Sequence, residues 1–275
     1  MHRSISAQLP RPPSGTDSPL SGDSVPSLTR SARRPVLLSP AARKAARQKM
    51  LLLREASVDR IVNLTGVRDA DLRTYRRELS ESALPDLLLQ RGAGLPFARE
   101  LPQAALLYLM VRALRPRRVI ETGVRPGYST AWILSALERN GSGELTSLGP
   151  GPTSGRSPGV HDVTVGQFVA PSLRGAWTLV LGNTEDHLRD ILHDRDDLDL
   201  FFLDNGPDVQ RARFELRTAW SALSTRGVLM AHHIEANSAW TEFCRMQGVP
   251  TQPFDLGPPP MGALGMRSRD AAARS

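Results

Sequence analysis

The sequence predicts an α/β protein with a doubly wound, mostly parallel sheet, a helical extension before it and an antiparallel hairpin at its edge. Five short apolar runs between residues 118 and 234 are each followed by a helical stretch. Such strand–helix units are typical of a parallel sheet with helices on both faces. Changes in composition predict a disordered Pro/Ser/Arg-rich tail at 1–40, a helical extension at 41–100, the main domain at 101–267 and a frayed end at 268–275.

The composition excludes several functional classes. The net charge is +7, but only two of the basic residues are lysines, and two of the three arginine clusters precede the main domain, so no specific nucleic-acid partner is expected. The single Cys244 excludes an intrachain disulfide and fits a reducing, cytoplasmic setting. No apolar run reaches the roughly 18 residues of a membrane span, and no membrane partner is expected. The start of the chain lacks the apolar core of a signal peptide; a transit peptide stays open, although disorder is the simpler interpretation.

The helical extension is predicted from capping signals and apolar spacing. Ser39 can cap a helix whose first position is Pro40, and the pattern continues over 41–56. Further helices are predicted at 69–82 and 83–92. This extension could recognise a substrate or form a homodimer contact, and the sequence does not decide between these roles.

The main domain begins with a strongly apolar helix at 103–114. The predicted strands and helices then alternate, with a Pro/Gly-rich loop at 149–160 after the second strand. The strands are predicted at 118–123, 144–148, 177–182, 198–205 and 227–234, and the helices at 128–140, 184–194, 207–223 and 237–247. Two weak strand candidates around the last Pro/Gly turn would close the edge as a hairpin. Ligands of such sheets bind at the carboxyl ends of the strands, so residues that end strands are the candidates for function.

The stretch "VIETGVRPGYST" (119–130) is the strongest single motif. Gly123 and Gly127 lie between a strand and a helix, where the first permits a tight turn and the second gives a ligand room near the backbone. The spacing is not that of a dinucleotide fingerprint, and Pro126 has no N–H to offer a phosphate. Glu121 at the strand end instead suits a cationic group. The alternative is an ordinary strand–helix turn.

Four segments together resemble a known family. They are "RPRRVIETGVRPGYSTAWILSALERNGSGELTSL", "WTLVLGNTEDHL", "DLDLFFLDN" and "AWSALSTRGVLMAHHIEANSAWTEF". In order and spacing they resemble class I S-adenosylmethionine-dependent methyltransferases of the "methyltransferase 24" type, over roughly residues 100–248. The resemblance implies a Rossmann-like sheet of about seven strands, S-adenosylmethionine as cofactor and O-methylation of a small-molecule or sugar-like acceptor. It also implies that the cofactor is bound by Glu121, Gly123, Gly127, Ser129 and Asn183, with Glu121 near the methionine amine and Asn183 toward the adenine.

The chain departs from the family pattern at three strand ends. Gly149 stands where the second strand usually ends in an acid that binds the ribose, and no carboxylate follows before Asp162. Asp204 remains after the fourth strand, where it could position a substrate or serve as a turn residue. His232 and His233 replace a pair of acids after the fifth strand.

These departures leave the chemistry open. A neutral imidazole can take a proton from a hydroxyl, so His232 or His233 is predicted as the catalytic base and Asp204 as the group that orients it. Magnesium is not favoured, because it needs carboxylates where this chain has imidazoles. Softer metals would tolerate imidazoles, and His232 or His233 could bind one together with Asp204 and Asn237, but nothing else in the sequence requires a metal. The chain is therefore either an active methyltransferase or an impaired one that acts as a binding or regulatory module. The spacing of the glycines in the loop after the first strand disfavours a third possibility, a nucleotide-binding oxidoreductase.

Overall fold

A six-stranded sheet, in the order β3-β2-β1-β4-β5-β6, organises the part of the chain that the computed structural model describes. That part comprises residues 39–41, 44–45, 53–91, 100–149, 164–204, 206–251 and 253–266. Strands β1 to β5 pair in parallel, and β6 is antiparallel to β5. The strands are β1 Arg118–Thr122, β2 Glu144–Gly149, β3 Trp177–Leu181, β4 Leu198–Leu203, β5 Leu223–His232 and β6 Met261–Gly265. The predicted Rossmann-like α/β architecture is confirmed.

The edge of the sheet differs in detail from the predicted hairpin. Of the two strand candidates in the tail, one becomes β6, while the other contributes only an isolated bridge from Pro253 to Gly262. The described sheet therefore has six strands rather than about seven. Strand β5 also begins at Leu223, four residues earlier than predicted, because its first residue already pairs with Leu198 of β4 before a register shift.

Eight α-helices and one 3₁₀ helix have both ends in the described ranges, and residues 40–41 and 44–45 are helical outside them. Helix α5 begins and ends where the glycines predict, since Gly127 and Gly141 flank it and both have left-handed backbone angles. The helices are α1 Glu55–Thr65, α2 Asp69–Glu81, α3 Leu84–Arg91, α4 Leu101–Leu114, α5 Tyr128–Asn140, α6 Thr184–Leu192, α7 Val209–Ala222 and α8 Ala239–Met246, and the 3₁₀ helix is Pro171–Ala176. Each of these helices is too short or too polar to cross a bilayer.

Two apolar layers cover the two faces of the sheet. Successive residues of a strand point to opposite faces, so Val119 and Phe202 join the layer that contains α4 and α5, while Ile120 and Phe201 join the layer of α7 and α8. Helix α4 is buried on almost all sides, because α1 and α2 pack on it from outside. The sheet is thus enclosed, and its carboxyl-terminal edge is where polar side chains collect.

The N-terminal helices differ from the prediction at one boundary. Pro40, Ala41, Lys44 and Ala45 are helical, but the helix predicted to run through residue 56 is interrupted, because Leu53 and Arg54 are not helical. Arg54 has an extended backbone (φ −68°, ψ 153°), and a new helix, α1, begins after it. The prediction of one helix over 41–56 was wrong at this point, and α1 was missed. The predicted tail 1–40, apart from its last two residues, the end 268–275 and nearly all of the loop 149–160 lie outside the described residues.

Candidate functional site

The glycine loop after β1 is a tight turn whose amides are used within the protein. Gly123 (φ +92°) and Gly127 (φ +84°) adopt left-handed angles that glycine tolerates best. The Gly123 and Val124 amides donate to the Leu148 carbonyl of β2 at 3.0 and 3.4 Å, and the Gly127 amide donates to the Val124 carbonyl at 2.7 Å. With these amides engaged and Pro126 lacking one, the loop is poorly equipped to bind a phosphate, in agreement with the sequence argument.

The segment 164–169 lies directly on this loop. The Gly166 amide donates to the Arg125 carbonyl at 3.2 Å, and the Phe168 amide donates to the Pro126 carbonyl at 3.0 Å. A Cβ placed on Gly127 would lie 3.0 Å from the Gly166 Cα and 3.1 Å from a Val169 methyl carbon. The space that the sequence suggested for a ligand beside Gly127 is therefore filled, on this side, by the protein itself.

Glu121 is fully buried at the end of β1, and its carboxylate is surrounded by hydroxyl groups. Thr130 and Ser147 each donate to Oε2 at 2.7 Å, and Ser129 donates to Oε1. Ser147 in turn accepts a hydrogen bond from the Trp177 indole at 2.9 Å. Burial raises the pKa of Glu121 to about 7, although the three hydroxyls oppose this shift. Contact between Glu121 and a ligand stays a prediction, since in this structure both carboxylate oxygens already accept hydrogen bonds from hydroxyl groups of the protein.

The end of β2 has no room for a side chain at Gly149. A Cβ there would lie 2.5 Å from a methyl carbon of Val124 and 3.3 Å from a Leu181 methyl carbon. Val124 therefore fills the space into which an acid at position 149 would project. Val124 can pack at this position only because residue 149 has no side chain.

Asp204 and His232 form a pair where β4 and β5 end. The His232 Nδ1 lies 3.0 Å from the Asp204 Oδ1. The backbone amide of Asp204 donates to the Thr122 carbonyl at 3.0 Å, which holds the pair beside the glycine loop. Burial disfavours the imidazolium, but the hydrogen bond to Asp204 and the nearby carboxylates outweigh it and raise the pKa of His232. Asp204 is thus a partner of His232, whereas the cap of helix α7 is Asp208.

Glu100, which the sequence analysis did not single out, completes this cluster from the N-terminus of helix α4. Its carboxylate oxygens lie 3.9 Å from the His232 Nε2 and 3.8 Å from the His233 Nε2. Burial raises the pKa of Glu100, and Asp204 adds to the shift while both histidines oppose it. No local motif marks Glu100, because it reaches the site only through the packing of α4 on the sheet. We call Glu100, Asp204, His232 and His233 the strand-end cluster.

Both histidines face Glu100 because the strand ends between them. Adjacent residues within a strand point to opposite faces, but His233 has a φ of +51° and so leaves the strand geometry. The two rings lie 4.2 Å apart, centroid to centroid. Such an angle is uncommon outside glycine and often marks a functional position.

The predicted Asn183 lies apart from these groups. It is exposed, and its side-chain oxygen accepts a hydrogen bond from the Glu185 amide at 3.1 Å, so it caps helix α6. The side-chain oxygen of Asn237, considered as a metal partner, accepts a hydrogen bond from the Ala239 amide at 2.9 Å, just before α8. Ser129 stands at the start of α5, bound to Glu121. The structure therefore brings Asp204, His232 and His233 together and leaves Asn183 on the surface.

A protein-family model matches the region that contains the glycine loop and most of the strand-end cluster. Residues 120–234 match the family model described as a methyltransferase domain. Over these residues the chain is similar to a methyltransferase domain. The matched region runs from β1 through the glycine loop to the residue after His233, so it includes the strand-end cluster except Glu100, and the resemblance stated from the sequence is confirmed.

Three solved structures of O-methyltransferases show a distant likeness to this chain. CalS11, a TDP-rhamnose 3'-O-methyltransferase of calicheamicin biosynthesis, is 15% identical over 84% of this chain and 96% of its own, with a TM-score of 0.46. TomG from Streptomyces achromogenes, in complex with SAM, is 20% identical over 70% and 77%, with a TM-score of 0.40. The O-methyltransferase from Bacillus cereus, with SAH, is 20% identical over 62% and 75%, with a TM-score of 0.39. No curated protein sequence matches the chain.

Proposed function

We propose that this chain is an S-adenosylmethionine-dependent methyltransferase that methylates a hydroxyl group of a small-molecule or sugar-like acceptor. The match of residues 120–234 to a methyltransferase domain supports the class of reaction. The reaction is an in-line displacement, in which the acceptor oxygen attacks the sulfonium methyl group and S-adenosylhomocysteine leaves. The protein must align the two reactants and receive the proton of the hydroxyl.

The Asp204–His232 pair is the observation that carries the proposal of a hydroxyl acceptor. The hydrogen bond at 3.0 Å assigns the Nδ1 proton of neutral His232 to the side of Asp204, which leaves a lone pair on Nε2. That nitrogen is buried and has no hydrogen-bond partner among the described residues. A base in this state can accept the proton of a hydroxyl, and Asp204 stabilises the imidazolium that forms. His233 is the second candidate base, as the sequence predicts.

The cofactor would lie over the glycine loop at the carboxyl ends of β1 and β2. Glu121 would act there as a buried anchor, because its carboxylate orients Ser129 and Ser147. Leu181, a 40% exposed leucine at the end of β3, offers an apolar surface for a base such as adenine. Asn183 follows two residues later at the same edge, where its side-chain amide would be an additional donor.

A second function, an impaired methyltransferase that serves as a binding module, is favoured by the contact of Val124 with the Gly149 position. An acid that accepts both ribose hydroxyls contributes charge-assisted hydrogen bonds of about 1.5–3 kcal/mol each. At the end of β2 a methyl carbon of Val124 occupies that space. Weak cofactor binding would then leave the fold without turnover.

Calorimetry of the full-length protein with S-adenosylmethionine and S-adenosylhomocysteine separates the two functions. The enzyme proposal expects saturable one-to-one binding of both. Gly149→Asp alone should not improve affinity, because its Cβ would collide with Val124. Gly149→Asp combined with Val124→Ala should tighten cofactor binding about tenfold, as one added charge-assisted bond would. Undetectable binding of both ligands by the parent and by the double variant would exclude the enzyme proposal.

The base assignment has its own test, which applies once cofactor binding is established. His232→Ala combined with His233→Ala should abolish methyl transfer to a panel of hydroxyl acceptors and leave cofactor affinity unchanged. The matched control is His193→Ala, which removes a histidine at the exposed end of α6. Undiminished turnover in the double variant would refute the role of both histidines.

A further inference from the structure

We propose that Glu100, His232 and His233 form a binding site for a divalent transition metal of the zinc class. One ligating atom from each of these three residues lies within 4.8 Å of the other two. Two imidazoles and one carboxylate form a ligand set that suits zinc and its neighbours, and it leaves a coordination position open for water or substrate. The site does not depend on the proposed methyl transfer, since metal binding needs no methyl donor.

The distances between the ligating atoms are close to those of a metal site. Zinc binds nitrogen and oxygen at about 2.0–2.2 Å, so two ligands of a tetrahedral ion lie about 3.3 Å apart. The Glu100 oxygens lie 3.9 and 3.8 Å from the two Nε2 atoms. These separations are too long for hydrogen bonds, and the three ligating atoms, which all lie within 4.8 Å of one another, would have to move closer together to hold one ion.

The second nitrogen of each histidine already faces a carboxylate. The His232 Nδ1 lies 3.0 Å from Asp204, and the His233 Nδ1 lies 3.5 Å from Glu235. Metal-bound histidines almost always donate their other ring N–H in this way, which fixes the ring and leaves the ligating nitrogen unprotonated. Both Nε2 atoms are therefore presented to the same point, next to Glu100.

His232 provides an independent sign of a missing partner. Its side chain is 6% exposed, and its Nε2 has no hydrogen-bond partner among the described residues. A buried polar atom without a partner costs about 1–3 kcal/mol, so such atoms are rare unless a ligand or ion satisfies them. The Nε2 of His232 is aimed at the side of the cluster where Glu100 and His233 lie.

The charges around the site favour a cation. Three carboxylates, Glu100, Asp204 and Glu235, act on His232, and among the described residues Arg125 is the arginine that acts on Glu100. Glu100 and His233 keep 20% and 35% of their side-chain surface exposed, so an ion can enter and hold an open position. The set is poorly suited to magnesium, which prefers six oxygen ligands.

A bound metal would change the chemistry proposed for the histidines. As ligands, His232 and His233 would not act as bases, and the metal would instead make a bound water or hydroxyl group more acidic. Asp204 would act as a positioning residue that orients His232.

The test uses tag-free, full-length protein, first stripped of metal and then titrated with Zn²⁺ and with Co²⁺ as a spectroscopic probe. We expect one equivalent to bind, Mg²⁺ in large excess not to compete, and Co²⁺ to show the intense visible bands of a low-coordinate ion. Glu100→Gln, His232→Ala and His233→Ala should each weaken binding at least tenfold, and Asp204→Asn by 10–100-fold, as is common for groups that orient a ligand. His193→Ala, in which an exposed histidine is lost, should bind as the parent does.

Circular dichroism and thermal unfolding show whether each variant is folded. Weak metal binding supports the proposal only in a variant that is folded. The absence of stoichiometric binding by the folded parent would overturn the proposal. Unchanged affinity in folded Glu100→Gln and His232→Ala would overturn it as well. A Co²⁺ spectrum like that of the hydrated ion, which needs no variant, would also contradict it.

Discussion

Glu121→Gln tests the electrostatics of the glycine loop. Burial raises the pKa of this carboxyl from its ordinary 4.5 to about 7, so the folded protein favours the protonated form. A carboxyl whose pKa is raised on folding contributes fully at pH values below 4.5, and its contribution is lost as the pH rises through 7. A shift of about 2.5 pKa units corresponds to about 3 kcal/mol of unfolding free energy, at 1.36 kcal/mol per unit. The glutamine has the same shape and cannot ionise, so it removes this pH dependence.

Urea unfolding of the parent and of Glu121→Gln at several pH values between 4.5 and 8 measures the effect. The difference between the two unfolding free energies should move by about 3 kcal/mol in favour of the variant as the pH rises. Taking this difference removes the parallel contributions of Glu100 and His232, whose pKa values are also raised. Glu138→Gln, an exposed position of the following helix, is the matched control. A constant difference between parent and Glu121→Gln across this range would refute the reasoning.

The remaining predictions concern one hydrogen bond and one close packing contact. Asp204→Asn replaces the negative carboxylate that raises the pKa of His232 by a neutral amide, so the midpoint of the His232 titration, followed by NMR, should move to lower pH; an unchanged midpoint would show that the pair is not coupled. Gly127→Ala should cost more stability than Gly141→Ala in thermal unfolding. Both positions have positive φ, which costs an alanine about 1–2 kcal/mol, but a Cβ meets Gly166 at 3.0 Å only at Gly127 and meets nothing within 4 Å at Gly141. Equal losses would show that the segment at 164–169 does not press on the loop.

Much of the sheet could be predicted because its information is local. The apolar runs that form β1 to β4 and the glycines around α5 define those elements within a few residues. Helix α1 was missed because its sequence, "EASVDRIVNLT", is rich in β-branched residues and starts without a capping side chain. It is held instead by Ile61 and Leu64, which are buried in the core. Tertiary packing stabilises helix α1, and the helix propensity of its own residues does not predict it.

The candidate site was predictable only where it lies at strand ends. Asp204, His232 and His233 follow from the rule that ligands bind at the carboxyl ends of parallel strands. Glu100 lies 18 residues before β1 and joins the site through helix α4. The contact of Val124 with the Gly149 position depends on the pairing of β1 with β2, which the sequence of either strand does not contain.

The central claim is that the domain at residues 120–234 still uses S-adenosylmethionine. Its most direct test is isothermal titration of the full-length protein with S-adenosylmethionine and S-adenosylhomocysteine at neutral pH. We expect saturable binding of one equivalent of each, with adenosine triphosphate and NAD as nucleotide controls that do not bind. If neither ligand gives a heat of binding up to millimolar concentration, where the free energy of binding is only about 4 kcal/mol, the domain does not use S-adenosylmethionine.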